Sequence, residues 1–303
     1  MTTHPPDIEA FSEADAGELV AEGLAPITDV LPTPLPMWSL ACRGRGGGIG
    51  LAPSWFVVVG GATGHGKSLL VSNLCVNAIR NGLSVGFIST EMTRQEVFAR
   101  FLAIVSGCSV RRLEPGTLFQ QSTATEAVEV WRSQQKARWW FDNGLPHSVR
   151  DVATSLKSMA VDHRCKVLVV DYVQDVGLEI EHVAQRSQTV AQMLKRCART
   201  FHVIVVGVSQ FNRGQSFTAR RDSPVSEGLA GGQWENSADQ VILLDQSSYE
   251  KADYGTKAHT RILLKKNRHG PTAEIPVTWD YDNLRLSERS AAPDPRSSHG
   301  DRS

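Results

Sequence analysis

Short apolar runs rich in Val, Ile and aromatic residues recur along the chain, and helical spacing of apolar residues fills most gaps between them. The strand-like runs are residues 56–59, 85–88, 139–141, 167–170, 203–206, 241–244 and 261–264. The helix-like stretches are residues 69–79, 94–104, 125–137, 149–160 and 190–200. Strands buried on both faces are continuously apolar, and strands that alternate with helices form parallel sheets. The pattern therefore predicts an α/β fold with a mostly parallel sheet and helices on both faces.

The pattern changes near both ends of the chain. After the last helical stretch the elements become strand, loop and strand, which indicates an antiparallel edge to the sheet. We expect one domain over residues 36–286. Residues 1–35 are predicted to form an arm, with a short amphipathic helix and a proline-punctuated linker that packs either outside its own domain or on its own surface. Residues 287–303 are rich in Ser, Pro, Arg and Asp and are predicted to be a disordered tail.

The composition argues against a membrane protein, a secreted protein and a protein held together by disulfides or zinc. Hydrophobic residues make up 41% of the 303 positions, enough for a large core, yet no apolar run approaches the roughly 20 residues that cross a bilayer. The first residues lack the basic and apolar regions of a signal peptide, so we expect a cytoplasmic protein. The five cysteines are scattered without a C-x-x-C pair, which argues against a disulfide framework or a zinc site. The net charge is zero, so any binding to nucleic acid must depend on local charge.

A glycine-rich octapeptide follows the first strand-like run and fits the phosphate-loop pattern G-x-x-x-x-G-K-[ST] at every fixed position. Its residues are Gly61, Ala62, Thr63, Gly64, His65, Gly66, Lys67 and Ser68. The backbone N–H groups of such a loop and the N-terminus of the following helix bind polyphosphate. Lys67 is predicted to reach the β- and γ-phosphates and Ser68 to bind Mg²⁺, while the His65 side chain is expected to point outward. The octapeptide therefore predicts a site for a nucleoside triphosphate.

Three polar side chains follow strand-like runs and are predicted to meet at the carboxyl edge of the sheet, where ligands of open α/β sheets bind. Asp171 ends a run of four apolar residues and is a candidate Mg²⁺ ligand, although a strand-ending Asp can also cap a loop. Glu91 is the candidate general base, and the alternative is a cap for the helix that begins near Thr93. Gln210 can hydrogen-bond the γ-phosphate or the attacking water and report its loss to the long loop that follows.

Five further sequence blocks occur in one order, and as a set they are far more specific than the phosphate loop. They read Ser-Thr-Glu-Met at 89–92, Asp-Tyr-Val-Gln at 171–174, Ser-Gln-Phe-Asn-Arg at 209–213, Glu-Asn-Ser-Ala-Asp at 235–239 and Lys-Asn-Arg-His-Gly-Pro at 266–271. This set resembles the motif blocks of DnaB-type replicative helicases over about residues 48–284. The resemblance implies a RecA-like P-loop NTPase fold that uses ATP and Mg²⁺. It also implies a ring-shaped homohexamer that translocates on single-stranded DNA in the 5′ to 3′ direction.

The resemblance further implies residues that act across a subunit boundary. Lys266 and Arg268 match a pair that reaches the γ-phosphate of the neighbouring subunit, with Arg268 as the arginine finger. A planar, permanently charged guanidinium suits the charge that develops on phosphoryl oxygens. The alternative is a solvated basic turn between two strands. The candidate contacts to the DNA backbone are Arg186, Arg213, Arg220 and Arg221. Any one of these four can equally be an ordinary surface residue.

The chain departs from the family pattern at its N-terminus, where only about 35 residues precede the predicted domain. Family members usually carry a helical domain there that binds primase, so a primase-binding function is in question, and the sequence identifies no loader. Two other classes of protein stay open. One is a RecA-like recombinase that coats single-stranded DNA as a filament, and the other is a KaiC-like regulatory ATPase whose hydrolysis is indifferent to DNA.

Overall fold

The computed structural model describes residues 30–42, 48–113, 121–142, 148–210, 233–251 and 257–289. The helices are α1 (Pro36–Ala41), α2 (Lys67–Arg80), α3 (Arg94–Ser106), α4 (Gln121–Gln134), α5 (Val149–Val161), α6 (Val183–Phe201) and α7 (Gln233–Ser237). The strands are β1 (Phe56–Gly61), β2 (Val85–Ser89), β3 (Trp139–Asp142), β4 (Val167–Asp171), β5 (Ile204–Gln210), β6 (Gln240–Lys251), β7 (Lys257–Asn267), β8 (Ala273–Asp280) and β9 (Arg285–Glu288). Single turns of 3₁₀ helix span Val110–Arg112 and Val173–Asp175.

The described strands form one sheet in the spatial order β3-β2-β4-β5-β1-β6-β7-β8-β9. The pairings from β3 to β6 are parallel, and those from β6 to β9 are antiparallel. Every predicted strand-like run overlaps a strand, and every predicted helical stretch overlaps a helix. The predicted α/β fold with an antiparallel edge is therefore confirmed.

Helices cover both faces of the sheet because successive residues of its central strands point to opposite faces. Along β1, Val57 and Val59 pack in the same hydrophobic cluster as α2 and α3. Phe56 and Val58 pack in the cluster that contains α5 and α6. All four side chains are fully buried. The central strand is thus apolar on both faces, and its polar groups for chemistry can appear only where it ends.

The segment before β1 packs on the domain that follows it. Leu31 pairs with Leu51 through two backbone hydrogen bonds of 2.8 Å, and Leu35 is fully buried in the core. Pro36 begins α1, where a missing N–H costs nothing because first-turn N–H groups have no partner inside the helix. The predicted boundary between arm and domain stays a prediction, and residues 1–29 lie outside the described residues.

Strand β9 extends slightly beyond the predicted end of the domain. It reaches Glu288, whose carboxylate oxygens accept hydrogen bonds of 3.0 and 3.2 Å from the backbone N–H of Met37. The rest of the predicted tail, residues 290–303, is outside the described part of the chain. Among the helices described, none is both long and apolar enough to cross a membrane.

Candidate active site

The phosphate loop connects the carboxyl end of β1 to the first turn of α2. Gly66 precedes α2 with a φ of 84°, a left-handed conformation that a residue with a Cβ adopts only at a cost. A Cβ at this position would also lie 3.3 Å from the ring of Trp279. Glycine therefore fits this corner for two independent reasons. The N-terminus of α2 is left facing the loop, where its free N–H groups favour an anion.

The side chain of Lys67 is held inside the loop by a backbone carbonyl group of the same loop. Its side chain is buried, and Nζ donates a hydrogen bond of 2.9 Å to the carbonyl oxygen of Ala62. The same Nζ lies 5.5 Å from the centroid of the Tyr172 ring. Burial lowers the pKa of Lys67 below its ordinary value, while the carboxylates of Asp171 and Glu91 act in the opposite direction. The ammonium group is thus presented to the loop by a short contact that a phosphate oxygen can replace.

Asp171 lies beside Ser68 because β4 ends next to the start of α2. The Ser68 hydroxyl donates a hydrogen bond of 3.1 Å to Oδ2 of Asp171. The other carboxylate oxygen, Oδ1, is buried and has no hydrogen-bond partner among the described residues. Burial raises the pKa of Asp171 to about 7, against the lowering effect of the Ser68 hydroxyl. A buried carboxylate with an unused oxygen fits a divalent cation, which would supply the missing charge.

The donor set fits Mg²⁺ better than a metal that needs an all-protein cage. Among the described residues, no group of three or more His, Cys, Asp or Glu side chains is gathered at one point. Mg²⁺ usually takes one or two protein ligands, together with water and substrate phosphates. Ser68 and Asp171 provide such a pair next to the phosphate loop.

Asp171→Asn is expected to melt at a higher temperature than the unsubstituted protein in metal-free buffer at about pH 8. The folded pKa of about 7 lies above the ordinary value of 3.8, so ionisation costs the folded state stability. This cost grows as the pH rises between the two values and is constant above them, so the difference should shrink at about pH 5. Thermal melts in EDTA at both pH values measure it. A lower melting temperature for Asp171→Asn at the higher pH would contradict this account.

Glu91 lies at the same edge, two residues beyond the end of β2. Strand β2 pairs with β4 so that Ser89 is opposite Asp171, and the backbone N–H of Thr90 donates a hydrogen bond of 2.7 Å to the carbonyl oxygen of Asp171. Glu91 is exposed toward a cleft of about 460 Å³ that also contains Lys67 and Ser68. This volume lies within the usual range for small-molecule sites.

Helix α3 does not need Glu91 as a cap. Thr93 is the N-cap, and its hydroxyl accepts a hydrogen bond from the N–H of Glu96. In turn, the Glu96 carboxylate accepts a hydrogen bond of 2.7 Å from the N–H of Thr93, and the two hydrogen bonds form a capping box. The capping interpretation of Glu91 is therefore wrong, and its role as general base stays a prediction.

Gln210 connects the phosphate loop to the segment that follows Asp171. In the β1–β5 register Gln210 is opposite Gly61, and its Nε2 donates a hydrogen bond of 2.6 Å to the hydroxyl of Thr63. Its backbone carbonyl accepts a hydrogen bond of 2.9 Å from Nε2 of Gln174. Gln174 also donates to the hydroxyl of Ser209 at 2.6 Å. The phosphate loop is thus linked through Gln210 to the segment after Asp171, which contains Gln174.

The expectation that His65 points outward is wrong. Its side chain is half-buried, and Nδ1 lies 3.3 Å from the carbonyl oxygen of Leu244 on β6. The imidazole ring therefore connects the middle of the phosphate loop to the neighbouring strand. Sequence reasoning missed this contact because Leu244 is distant along the chain.

The cleft also contains polar residues for which the sequence predicted no role, among them Tyr172, Arg100 and Glu96. Tyr172 lines it beside Lys67, and burial together with the Asp171 charge and a hydrogen bond to Glu91 raises the pKa of its hydroxyl. Arg100 lines it from α3. Glu96 and Arg100 are four residues apart on one helix face, a spacing that could have indicated that both side chains face the cleft.

The basic turn with Lys266 and Arg268 lies at the amino edge of the sheet, where β1 begins. This edge is opposite to the carboxyl edge that holds the phosphate loop. Strand β6 runs parallel to β1 with Gln240 opposite Val57, near the amino end of β1. Strand β7 returns antiparallel and ends with Asn267 opposite Gln240. At about 3.3 Å per residue, the length of β1 alone places this turn roughly 15 Å or more from the phosphate loop of the same chain.

The two basic side chains of the turn contact the segment around α7. Nζ of Lys266 donates to the carbonyl oxygen of Glu235, and Nη2 of Arg268 donates at 2.7 Å to that of Asn236. Burial lowers the pKa of Lys266, with the Arg268 charge acting in the same direction. Arg268 itself is exposed.

The predicted DNA contacts are only partly described. Arg186 is half-buried in the first turns of α6, on the connection that leaves the carboxyl end of β4. Arg213, Arg220 and Arg221 lie outside the described residues. The structure therefore brings together the loop, Asp171, Glu91 and Gln210, and it tests no DNA contact.

A phosphate loop at a strand–helix junction, with an acidic residue at the end of a nearby parallel strand, defines a P-loop NTPase. Among such proteins, the chain belongs to the DnaB-like helicase C-terminal domain family, whose family model matches residues 48–288.

Curated relatives match this chain over part of their own length. The replicative DNA helicase DnaB of Leifsonia xyli subsp. xyli is 26% identical over 233 residues, which are 76% of this chain and 51% of the relative. A probable plasmid replicative DNA helicase of Chlamydia muridarum is 23% identical over 242 residues, which are 79% of this chain and 52% of the relative. The chain spans about half the length of the curated relatives it matches.

Solved structures share the fold. One of them, an ATPase domain, superposes with a TM-score of 0.73 at 16% sequence identity, and the match covers 93% of this chain and 100% of that domain. The structure of a DnaB-like replicative helicase and its interactions with primase gives a TM-score of 0.71, also at 16% identity, and the match covers 94% of this chain and 68% of the helicase chain. The predicted RecA-like fold is thereby confirmed.

Proposed function

We propose that this protein is an ATP-dependent replicative DNA helicase. It assembles as a ring of six copies, hydrolyses ATP at the interfaces between them and translocates on single-stranded DNA in the 5′ to 3′ direction. Membership of the DnaB-like helicase family supports the activity. The observation that supports action between subunits is the position of the basic turn relative to the phosphate loop.

Arg268 and the phosphate loop lie at opposite edges of one rigid sheet. An arginine on that turn cannot reach a nucleotide bound to its own chain, but it is exposed to a neighbour. A head-to-tail interface joins one edge of a subunit to the other edge of the next, and such interfaces form a ring where the rotation closes and an open filament where it does not. Arg268 then completes the ATP site of the adjacent subunit, as an arginine finger supplied in trans.

The residues at the carboxyl edge have three roles in hydrolysis, which are phosphate binding, metal binding and proton transfer. The phosphate loop and Lys67 bind the phosphates of ATP, and Ser68 and Asp171 would hold Mg²⁺. When bound, Mg²⁺ neutralises charge on the β- and γ-phosphates. Glu91 accepts the proton of the attacking water, because it is an exposed carboxylate in the cleft and is free of the capping role.

Gln210 transmits the state of the γ-phosphate to DNA. Its amide contacts Thr63 in the loop, and its backbone is joined to Gln174, so loss of the phosphate changes both strand ends together. The DNA backbone contacts Arg186, on the segment after Gln174, together with Arg213, Arg220 and Arg221, which lie outside the described residues. A few arginines repeated around a ring make a positive channel even where the chain is neutral.

The structure of one relative was determined with its interactions with primase, and we include primase among the candidate partners of this chain. The proposed helicase acts in the cytoplasm, where replication forks are accessible to it.

The proposed activity is tested by separation of a forked DNA duplex with ATP and Mg²⁺. Unwinding is expected to require ATP, and Lys67→Ala should abolish it because the loop loses its ammonium group. Forks with a single 5′ or 3′ tail then give the direction. ATPase activity that DNA stimulates without any strand separation would instead support a recombinase. Hydrolysis indifferent to DNA would support a regulatory ATPase.

A further inference from the structure

Two amide side chains form a cross-strand pair directly beneath the basic turn. Gln240 begins β6 and Asn267 ends β7, and the strands pair these two residues in register. Nε2 of Gln240 donates a hydrogen bond of 3.1 Å to Oδ1 of Asn267. Gln240 is fully buried and Asn267 is half-buried, so the contact lies at the margin of the core.

Both amides also bind α1, the helix that leads from the N-terminal segment into the domain. Nδ2 of Asn267 donates a hydrogen bond of 2.8 Å to the carbonyl oxygen of Ala41, one of the last in α1. The indole N–H of the buried Trp38 donates at 3.1 Å to Oε1 of Gln240. A Cβ on Gly270 would lie 2.2 Å from the same Ala41 oxygen, so the turn and the end of α1 are in close contact.

Asn267 also shapes the turn itself. Its Nδ2 donates a second hydrogen bond of 3.0 Å to the carbonyl oxygen of Pro271, and its Oδ1 accepts one of 3.2 Å from the backbone N–H of His269. Arg268 lies between these contacts, with its own N–H donating at 2.9 Å to the carbonyl oxygen of Asp239. The backbone of Arg268 is therefore fixed from both sides.

We propose that Asn267 is a positioning residue for Arg268 and that it couples α1 to hydrolysis in the neighbouring subunit. The inference rests on the proposed action of Arg268 in trans. Every hydrogen-bonding atom of the Asn267 amide is used, with Nδ2 donating to two carbonyl oxygens and Oδ1 accepting twice. A displacement of α1 must therefore move the turn, and a displaced guanidinium no longer matches the charge that develops on the neighbour's phosphate.

Asn267→Asp tests this assignment with little change in shape. Aspartate keeps the acceptor for His269 but removes both N–H groups that bind Ala41 and Pro271. We expect kcat for ATP to fall about 10- to 100-fold, because a small displacement of a positioned group has effects of this order. The KM for ATP should change little, because each chain's own phosphate loop is at the other edge of the sheet.

Mixed rings separate positioning from a general loss of folding. Asn267→Asp subunits retain an intact phosphate loop, and Lys67→Ala subunits retain an intact basic turn. Equal mixtures should therefore recover turnover that neither variant shows alone. Asn73→Asp is the matched control, since Nδ2 of Asn73 also donates to two carbonyl oxygens, those of Leu69 and Leu284. It should lower the melting temperature to a similar extent but leave kcat within about threefold.

The connection to α1 has its own test. Trp38→Phe removes the N–H donated to Gln240 and should lower kcat, whereas Trp140→Phe should not, because that indole N–H has no hydrogen-bond partner among the described residues. If α1 acts through Asn267, the double variant of Trp38→Phe and Asn267→Asp is no slower than Asn267→Asp alone. Fully additive losses would overturn the coupling.

Arg268→Ala separates failure of this inference from failure of the proposed function. Recovery of Arg268→Ala in the same mixtures, together with near-normal turnover of Asn267→Asp, overturns only the positioning role. Failure of Arg268→Ala to recover removes action in trans, and the positioning role is lost with it.

Discussion

Glu91→Gln is expected to lower ATP turnover about 1,000-fold while ATP and DNA binding are retained, as befits the loss of a general base. Glutamine has nearly the same shape as glutamate but cannot take the proton of the attacking water. The phosphate loop, Ser68 and Asp171 are unchanged by the substitution, so nucleotide affinity has no reason to fall. Single-turnover hydrolysis and the binding of a fluorescent ATP analogue, measured on the same preparation, give the two quantities.

Glu96→Gln is the matched control for this experiment. Glu96 lines the same cleft, so both variants remove one negative charge from one place. Glutamine also serves in a capping box, so α3 should keep its N-terminus. Near-normal turnover of Glu91→Gln would exclude Glu91 as the base. Equal losses in the two variants would assign the effect to the charge of the cleft and not to proton transfer.

The carboxyl-edge site could be predicted from sequence because its parts follow from short patterns. The apolar run that ends in Asp171 predicts a buried strand, and the glycine-rich loop predicts the junction between a strand and α2. Parallel pairing then brings the ends of β2, β4 and β1 to one edge without any knowledge of side-chain contacts. The candidate Mg²⁺ ligands Ser68 and Asp171 are neighbours in that topology, and the two side chains are in contact.

The other edge could not be predicted in the same way. Gln240 and Asn267 meet only because β6 and β7 pair in one register, and a strand register is set by tertiary packing. Strands β8 and β9 were not predicted, and β8 contains Pro276, a residue that argues against a strand because it has no N–H for the ladder. The prolines at positions 32, 34 and 36 indicated a proline-punctuated linker, whereas Pro36 begins α1, the helix that contacts the basic turn.

Arg268→Ala is expected to lower turnover by about 1,000-fold in rings of that variant alone, the usual scale for loss of an arginine finger. Assembly should persist, because Arg268 is exposed and its side chain hydrogen-bonds a carbonyl within its own chain. Arg268→Lys should recover little of the loss, since an ammonium group lacks the planar fork of guanidinium. Lys265→Ala removes a positive charge nearby on β7 and is the control for charge alone.

The geometry of the sheet makes a quantitative prediction for mixtures of Arg268→Ala and Lys67→Ala subunits. An interface is active only where an intact phosphate loop of the first variant meets an intact Arg268 of the second. In rings assembled at random, the active fraction is the product of the two subunit fractions, so it peaks at equal mixing at about one quarter of the interfaces. ATP turnover measured across mixing ratios should therefore rise from near zero, pass through a maximum at equal amounts and fall again. If Arg268 acted on its own chain, every site would lack one of the two groups, and turnover would stay near zero at all ratios.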